Sequence, residues 1–247
     1  MIITSPSYHA GRLRPIRLIV LHTAQSPCAI GAARGIATHL ANPAVKASCH
    51  YAVDPAEVVV QVPEADTAWC APGANADGVQ IEQAGRAEFT AHDWSSGLAE
   101  LMLRTQVAPL VADICARNQL PAVWLDAAAV AAGALGITDH ATVNAAFGGS
   151  DHWDCGPDYP RQLVVDMAAR ILGQPGRVDP PQPPNDQEDT MPTHLTTLDG
   201  SWWGCFAGIY RPISGPELTF FQQRGVPTVT HTAAEITTLR TSWGRFA

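Results

Sequence analysis

Apolar and polar positions alternate in blocks along the first two thirds of the chain. Arg17-Leu18-Ile19-Val20-Leu21 is a short apolar run that predicts a buried strand, ending in His22. Ile30–Leu40 predicts a helix that stops near Asn42-Pro43. His50–Asp54 and Glu57–Val62 predict two strands joined as a hairpin through Pro55-Ala56, and Gly78–Gln83 predicts another strand. Apolar residues at 98, 101, 102, 107, 110, 111 and 114 predict an amphipathic helix over Leu98–Arg117. A last helix is expected over Pro160–Leu172, with proline in its first turn. Strands alternating with helices predict an α/β class, a mixed central β-sheet flanked by helices.

The pattern changes at Gly173. The segment 173–192, GQPGRVDPPQPPNDQEDTMP, interleaves prolines with acids and amides and predicts an extended linker rather than a packed core. The chain is therefore expected to divide into a catalytic-sized domain over 1–172, the linker over 173–192, and a small C-terminal domain over 193–247. A length of 247 residues suits one sizeable domain and one small one. The tail is rich in aromatics (Trp202, Trp203, Phe206, Tyr210, Phe220, Phe221, Trp243 and Phe246). These side chains serve either as its core or as exposed platforms for sugar rings or a partner.

A formal charge of −8, from 15 basic and 23 acidic residues, argues against nucleic acid as a partner. No uninterrupted apolar run approaches the roughly 18 residues of a membrane span, so no stable membrane insertion is expected. Met1–Tyr8 lacks the basic-then-apolar pattern of a secretory signal, so any export is expected to take another route. Cysteines at 28, 49, 70, 115, 155 and 205 form no C-x-x-C pair and read as reduced thiols.

Three residues stand out as candidate ligands. His22 closes an apolar strand, His140 ends Gly-Ile-Thr-Asp-His, and Asp154 lies in Ser-Asp-His-Trp-Asp-Cys-Gly-Pro. Two imidazoles and a carboxylate suit a catalytic zinc, which keeps one position open for water. Their wide separation follows no local ligand rule, so on the residues alone ordinary buried histidines are the favoured reading.

The ordered set of segments narrows the choice. His22-Thr23, then Ser48-Cys49-His50-Tyr51-Ala52-Val53-Asp54, Ala68-Trp69-Cys70-Ala71, Val79-Gln80-Ile81-Glu82, Gly136-Ile137-Thr138-Asp139-His140 and Asp151-His152-Trp153-Asp154-Cys155-Gly156-Pro157-Asp158-Tyr159-Pro160 resembles the type-2 N-acetylmuramoyl-L-alanine amidases. That family shares its fold with the peptidoglycan recognition proteins, and the form here is similar to the amidase domains of phage endolysins. The resemblance covers about residues 13–172. It implies a zinc ion, Zn2+, held by His22, His140 and Asp154. It implies Glu82 as the acid–base group that takes a proton from water and delivers it to the leaving amine, and His152 as a donor to the developing oxyanion. Cys155 stands where the family has a proline beside the aspartate, and is a rival third ligand because some relatives ligate through cysteine. Cys70 and Cys49 replace a histidine and an aromatic common in relatives, while His50 is expected to pack or hydrogen-bond near the site. His39 and His92 read as ordinary helix or loop residues.

The resemblance further implies peptidoglycan as partner and hydrolysis of the amide between N-acetylmuramic acid and L-alanine. It implies a phage lysin that accumulates in the host cytoplasm, leaves through a holin and acts at the cell wall, its tail anchoring it there. A non-catalytic peptidoglycan-binding module and a cytosolic wall-recycling amidase are the alternatives. Zinc content separates the first from an enzyme, and the linker and aromatic tail argue against the second.

Overall fold

The computed structural model describes residues 1–173, together with 194–198, 201–206, 209–212, 222 and 226–230. The chain divides into two compact units, Met1–Gly176 and Arg177–Ala247.

In the first unit a short strand β1 (Tyr8–His9) is followed by β2 (Leu18–Thr23), α1 (Ala32–Leu40), β3 (Tyr51–Val53), β4 (Val58–Val60), β5 (Thr67–Ala68) and β6 (Gly78–Gln83). Helices α2 (Ala91–Trp94) and α3 (Gly97–Met102) lead through a π-helical turn, Leu103–Val107, into α4 (Ala108–Asn118). Then come α5 (Ala127–Ala131), β7 (Gly136–Asp139), α6 (His140–Phe147) and α7 (Arg161–Ile171). The main sheet has five strands in the order β4-β3-β6-β2-β7. β3, β6, β2 and β7 run parallel, and β4 pairs antiparallel with β3. The expected mixed α/β sheet is present, and the Pro55-Ala56 connection does join an antiparallel pair.

Strand β2 is buried along its whole length because both sheet faces are covered. Its period-two alternation sends Ile19 and Leu21 into the larger core, with Val111, Ile114, Val164 and Ala168 of the packed helices α4 and α7. Leu18 and Val20 face the other way, into a smaller core with Val130 of α5 and Val143 of α6. Asp54 fastens the hairpin and the start of α1 at once. Its Oδ1 accepts from the backbone N–H groups of Ala56 and Glu57, and its Oδ2 from those of Gly31 and Ala33.

The helix expected over Leu98–Arg117 is present, running unbroken from Gly97 to Asn118, but it is not α-helical throughout. Pro109 lacks the N–H that would bond the Thr105 carbonyl, and its ring needs room against the preceding turn. The helix widens there into the π turn, in which the Ala108 N–H reaches Leu103 O. Strand β7 is the Gly-Ile-Thr-Asp segment that leads into His140.

In the second unit, three described strands, β8 (His194–Leu198), β9 (Ser201–Phe206) and β10 (Ile209–Pro212), form an antiparallel sheet in the order β10-β9-β8. The linker beyond Gly173 and Phe220, Phe221, Trp243 and Phe246 of the tail lie outside the described residues.

Candidate active site

Parallel register assembles the site. His22 on β2 pairs directly with Glu82 on β6, and Val20 with Gln80. β7 runs beside β2 with Val20 opposite Thr138 and Leu21 opposite Asp139, so His140, the first residue of α6, follows directly where β7 ends beside His22. Three residues far apart in sequence thus meet at the carboxyl ends of neighbouring parallel strands, where open α/β sheets form their clefts.

The loop after α6 brings in Asp154. Its carbonyl accepts the Ala141 N–H at 2.7 Å, and its Oδ2 accepts the Thr23 N–H at 3.3 Å. Gly156 holds the following turn with φ +95°, and a Cβ there would collide with the Ala87 carbonyl oxygen. At the other end of this region, Asp139 caps α6 by accepting from the Thr142 N–H and pairs with Arg161 at 2.9 Å.

The donor atoms converge. His22 Nδ1 lies 3.1 Å from His140 Nδ1 and 3.3 Å from Asp154 Oδ2, and His140 Nδ1 lies 3.4 Å from Asp154 Oδ1. Tetrahedral zinc with bonds of about 2.0–2.2 Å to nitrogen and oxygen spaces its ligand atoms about 3.3–3.6 Å apart, within a few tenths of an ångström of the spacings here, so the set suits that ion. Neighbouring bonds choose the ring nitrogens. Gln80 Nε2 donates to the Ala74 carbonyl, so its Oε1 accepts from His22 Nε2–H at 2.9 Å and Nδ1 is left for the site. His140 Nε2 meets Ser150 Oγ at 3.2 Å, which turns its Nδ1 inward in the same way. Two such nitrogens and a carboxylate facing one point require a proton or a cation between them. Burial alone would lower the His22 pKa, but the hydrogen bond to Asp154 and the charges of Glu82 and Asp154 outweigh it and push it up to about 9. Burial opposes ionisation of Asp154 too, yet its hydrogen bonds to His140 and His22 hold it well below the usual carboxylate range.

Glu82 lines the same cleft, which has a volume of about 750 Å³. Its Oε1 accepts from Cys70 Sγ at 3.4 Å, while its enclosed Oε2 has no hydrogen-bond partner among the described residues. Burial raises its pKa, and the His22 charge offsets only part of that rise. His152 stacks on the His140 ring at 4.7 Å with its Nδ1 3.5 Å from Asp154 Oδ1, and its side chain is 62% exposed at the mouth. Cys155 is fully buried and points elsewhere, with its Sγ 3.8 Å from Gln83 Nε2. Among the described residues, the converging group contains Asp154 and not Cys155.

A family profile described as N-acetylmuramoyl-L-alanine amidase matches residues 12–157, more than half of the chain. The chain belongs to the N-acetylmuramoyl-L-alanine amidase family. Among solved structures, this amidase-family chain is similar to the hydrolase AmiA of Staphylococcus aureus in complex with its ligand, at 17% identity and TM-score 0.53 over 70% of this chain and 86% of that one. That likeness is one of fold. Also similar are the amidase LysC from Clostridium intestinale (12% identity, 71% of this chain and 99% of that one, TM-score 0.44) and a mutant endolysin from Bacillus subtilis (19%, 69% and 98%, 0.41). No curated protein matches the sequence.

All five residues singled out for this amidase-family site, His22, Glu82, His140, His152 and Asp154, line the one cleft. His50 lies behind it: its Nδ1 accepts the Gln80 N–H at 2.9 Å and its Nε2 meets the Asp66 carbonyl at 3.3 Å. His39 of α1, read as an ordinary helix residue, also lines the cleft. Gln80 and Ser150, which orient the two imidazoles, carried no signal in the sequence. Gln80 has the parity of Glu82 on β6, and only the pairing of β6 with β2 reveals what that means.

Proposed function

We propose that this protein hydrolyses the amide joining the lactyl group of N-acetylmuramic acid to L-alanine of the peptidoglycan stem. The observation that carries this reading is the convergence of His22 Nδ1, His140 Nδ1 and one carboxylate beside the unpartnered Glu82 Oε2, within a chain of this family. In the proposal His22, His140 and Asp154 hold zinc. Zinc supplies Lewis acidity, polarising a carbonyl and making water nucleophilic near neutral pH.

The remaining chemistry belongs to the chain's own groups. Glu82 takes the proton of the attacking water, a role favoured by desolvation of its carboxylate and by the free Oε2. The same carboxyl then returns the proton to the departing amine of L-alanine. His152, exposed at the mouth of the cleft and stacked on His140, donates to the oxygen that gains negative charge. Gln80 and Ser150 keep both imidazoles from turning away. The reading extends to a lytic, endolysin-type role, with synthesis in a host cytoplasm, passage through a holin and a tail that concentrates the enzyme on its polymer. The resemblance of the sequence motifs supports that extension.

Digestion of purified peptidoglycan tests the reaction. Glu82→Ala is expected to retain zinc while losing at least about 100-fold in release of the L-alanine amine, the usual scale for a general acid–base group. Turnover near that of the wild type in this variant would remove Glu82 from the mechanism.

A further inference from the structure

Cys70 and Glu82 lie on the cleft wall beside the His22–His140–Asp154 group but outside it. Cys70 Sγ and Glu82 Oε1 are 3.4 Å apart, and with a ring nitrogen of His22 they form a second group whose donor atoms all fall within 4.8 Å of one another. Glu82 Oε2, enclosed and unpartnered, is a further acceptor at this point. A tetrahedral zinc ion bound to sulfur at about 2.3 Å and to oxygen at about 2.1 Å separates those atoms by about 3.6 Å. The observed spacing is close to that. Thiolate and carboxylate are both competent zinc ligands, so the pair is chemically as well as geometrically suited.

We propose that Cys70 and Glu82 form a second divalent-cation site, filled after the first, which inhibits the enzyme by occupying the carboxylate that must take up the proton. His22 cannot serve both sites. Gln80 engages its Nε2, and its Nδ1 is turned to His140 and Asp154. The second ion is therefore held by two protein groups and water, and binds more weakly than the first. On binding, the Cys70 S–H bond is replaced by a metal–sulfur bond, the proton passes to solvent, and no electrons are transferred. The inference rests on the reading that His22, His140 and Asp154 hold the first ion.

Cobalt(II), added to the metal-stripped full-length chain, reads the two sites separately, because only thiolate ligation gives sulfur-to-metal charge-transfer absorption. The first equivalent should bind without that absorption and the second with it. Cys70→Ser and Glu82→Gln should each weaken the second equivalent at least tenfold, and Cys70→Ser should abolish the absorption. With zinc, wild-type turnover should fall at least tenfold as the second equivalent binds, and that of Cys70→Ser should not. The proposal is overturned if charge transfer accompanies the first equivalent, if it never arises in excess cobalt, if it survives in Cys70→Ser, or if turnover ignores the second equivalent. A single silent equivalent that is lost in His140→Ala would overturn the second site and leave the first intact. No bound equivalent at all would overturn both.

Discussion

Gln80 illustrates how one side chain sets the chemistry of another. Its amide nitrogen is committed to the Ala74 carbonyl, so its oxygen faces His22 Nε2 and selects the tautomer that presents Nδ1 to the cleft. Gln80→Leu removes that acceptor and leaves a buried N–H without a partner. Zinc affinity is expected to fall about 10–100-fold, the scale seen when such supporting bonds to metal-ligating histidines are lost. Competition with a chromophoric chelator measures this, and an affinity within twofold of wild type would deny Gln80 its orienting role. His22 could be singled out from the sequence because it ends an apolar run, and His140 and Asp154 because their segments match a family pattern. Gln80 could not, since a polar residue inside an apolar strand has no visible purpose until its neighbour across the sheet is known.

Elements contribute by fixing where loops begin and end. Helix α6 starts at the end of β7, so a strand terminus and a helix N-terminus meet at His140, and Asp139 secures both. It caps the helix at Thr142 and accepts from Arg161 at 2.9 Å while fully buried itself. Asp139→Ala removes the cap of α6 and the carboxylate of Arg161, whose partly exposed guanidinium keeps the Gly156 and Pro157 carbonyls, and is expected to destabilise the fold by about 2–3 kcal/mol, the scale of one cap plus one charged hydrogen bond. Urea unfolding measures it, and a loss under about 1 kcal/mol would show that the cap and ion pair carry little of the local stability. The longer elements were legible because periodicity accumulates with length. β2 and β6 lie within a residue or so of their expected bounds, and α7 likewise. Strand β7, only four residues long, gives too short a pattern to identify by alternation. The π turn before Pro109 was hidden because apolar spacing continues across it while the backbone bonding does not.

For the molecule as a whole, both cores and the cleft lie within the first unit, and a buried histidine couples its stability to pH. His50 is fully buried, and desolvation, aided by the nearby Arg12 charge and opposed weakly by the Asp66 carbonyl, lowers its pKa to about 3. The unfolded chain takes up this proton near the ordinary value of about 6.5, whereas the folded chain refuses it until about pH 3. Stability from this residue is therefore intact above about pH 6.5 and drains away as pH falls towards 3, by an amount on the order of 5 kcal/mol. Unfolding free energies between pH 7 and 4 should decline less steeply in His50→Gln than in the wild type. Equal slopes would mean that His50 is protonated in the folded state as readily as in the unfolded one.

The central claim concerns one ion and three side chains, and X-ray absorption at the zinc edge, on full-length protein loaded with a single equivalent, tests it most directly. Nitrogen and oxygen neighbours at about 2.0–2.2 Å, including two imidazoles and no sulfur, are the predicted outcome. A sulfur neighbour at about 2.3 Å would instead assign the ion to Cys70 or Cys155 and contradict the account.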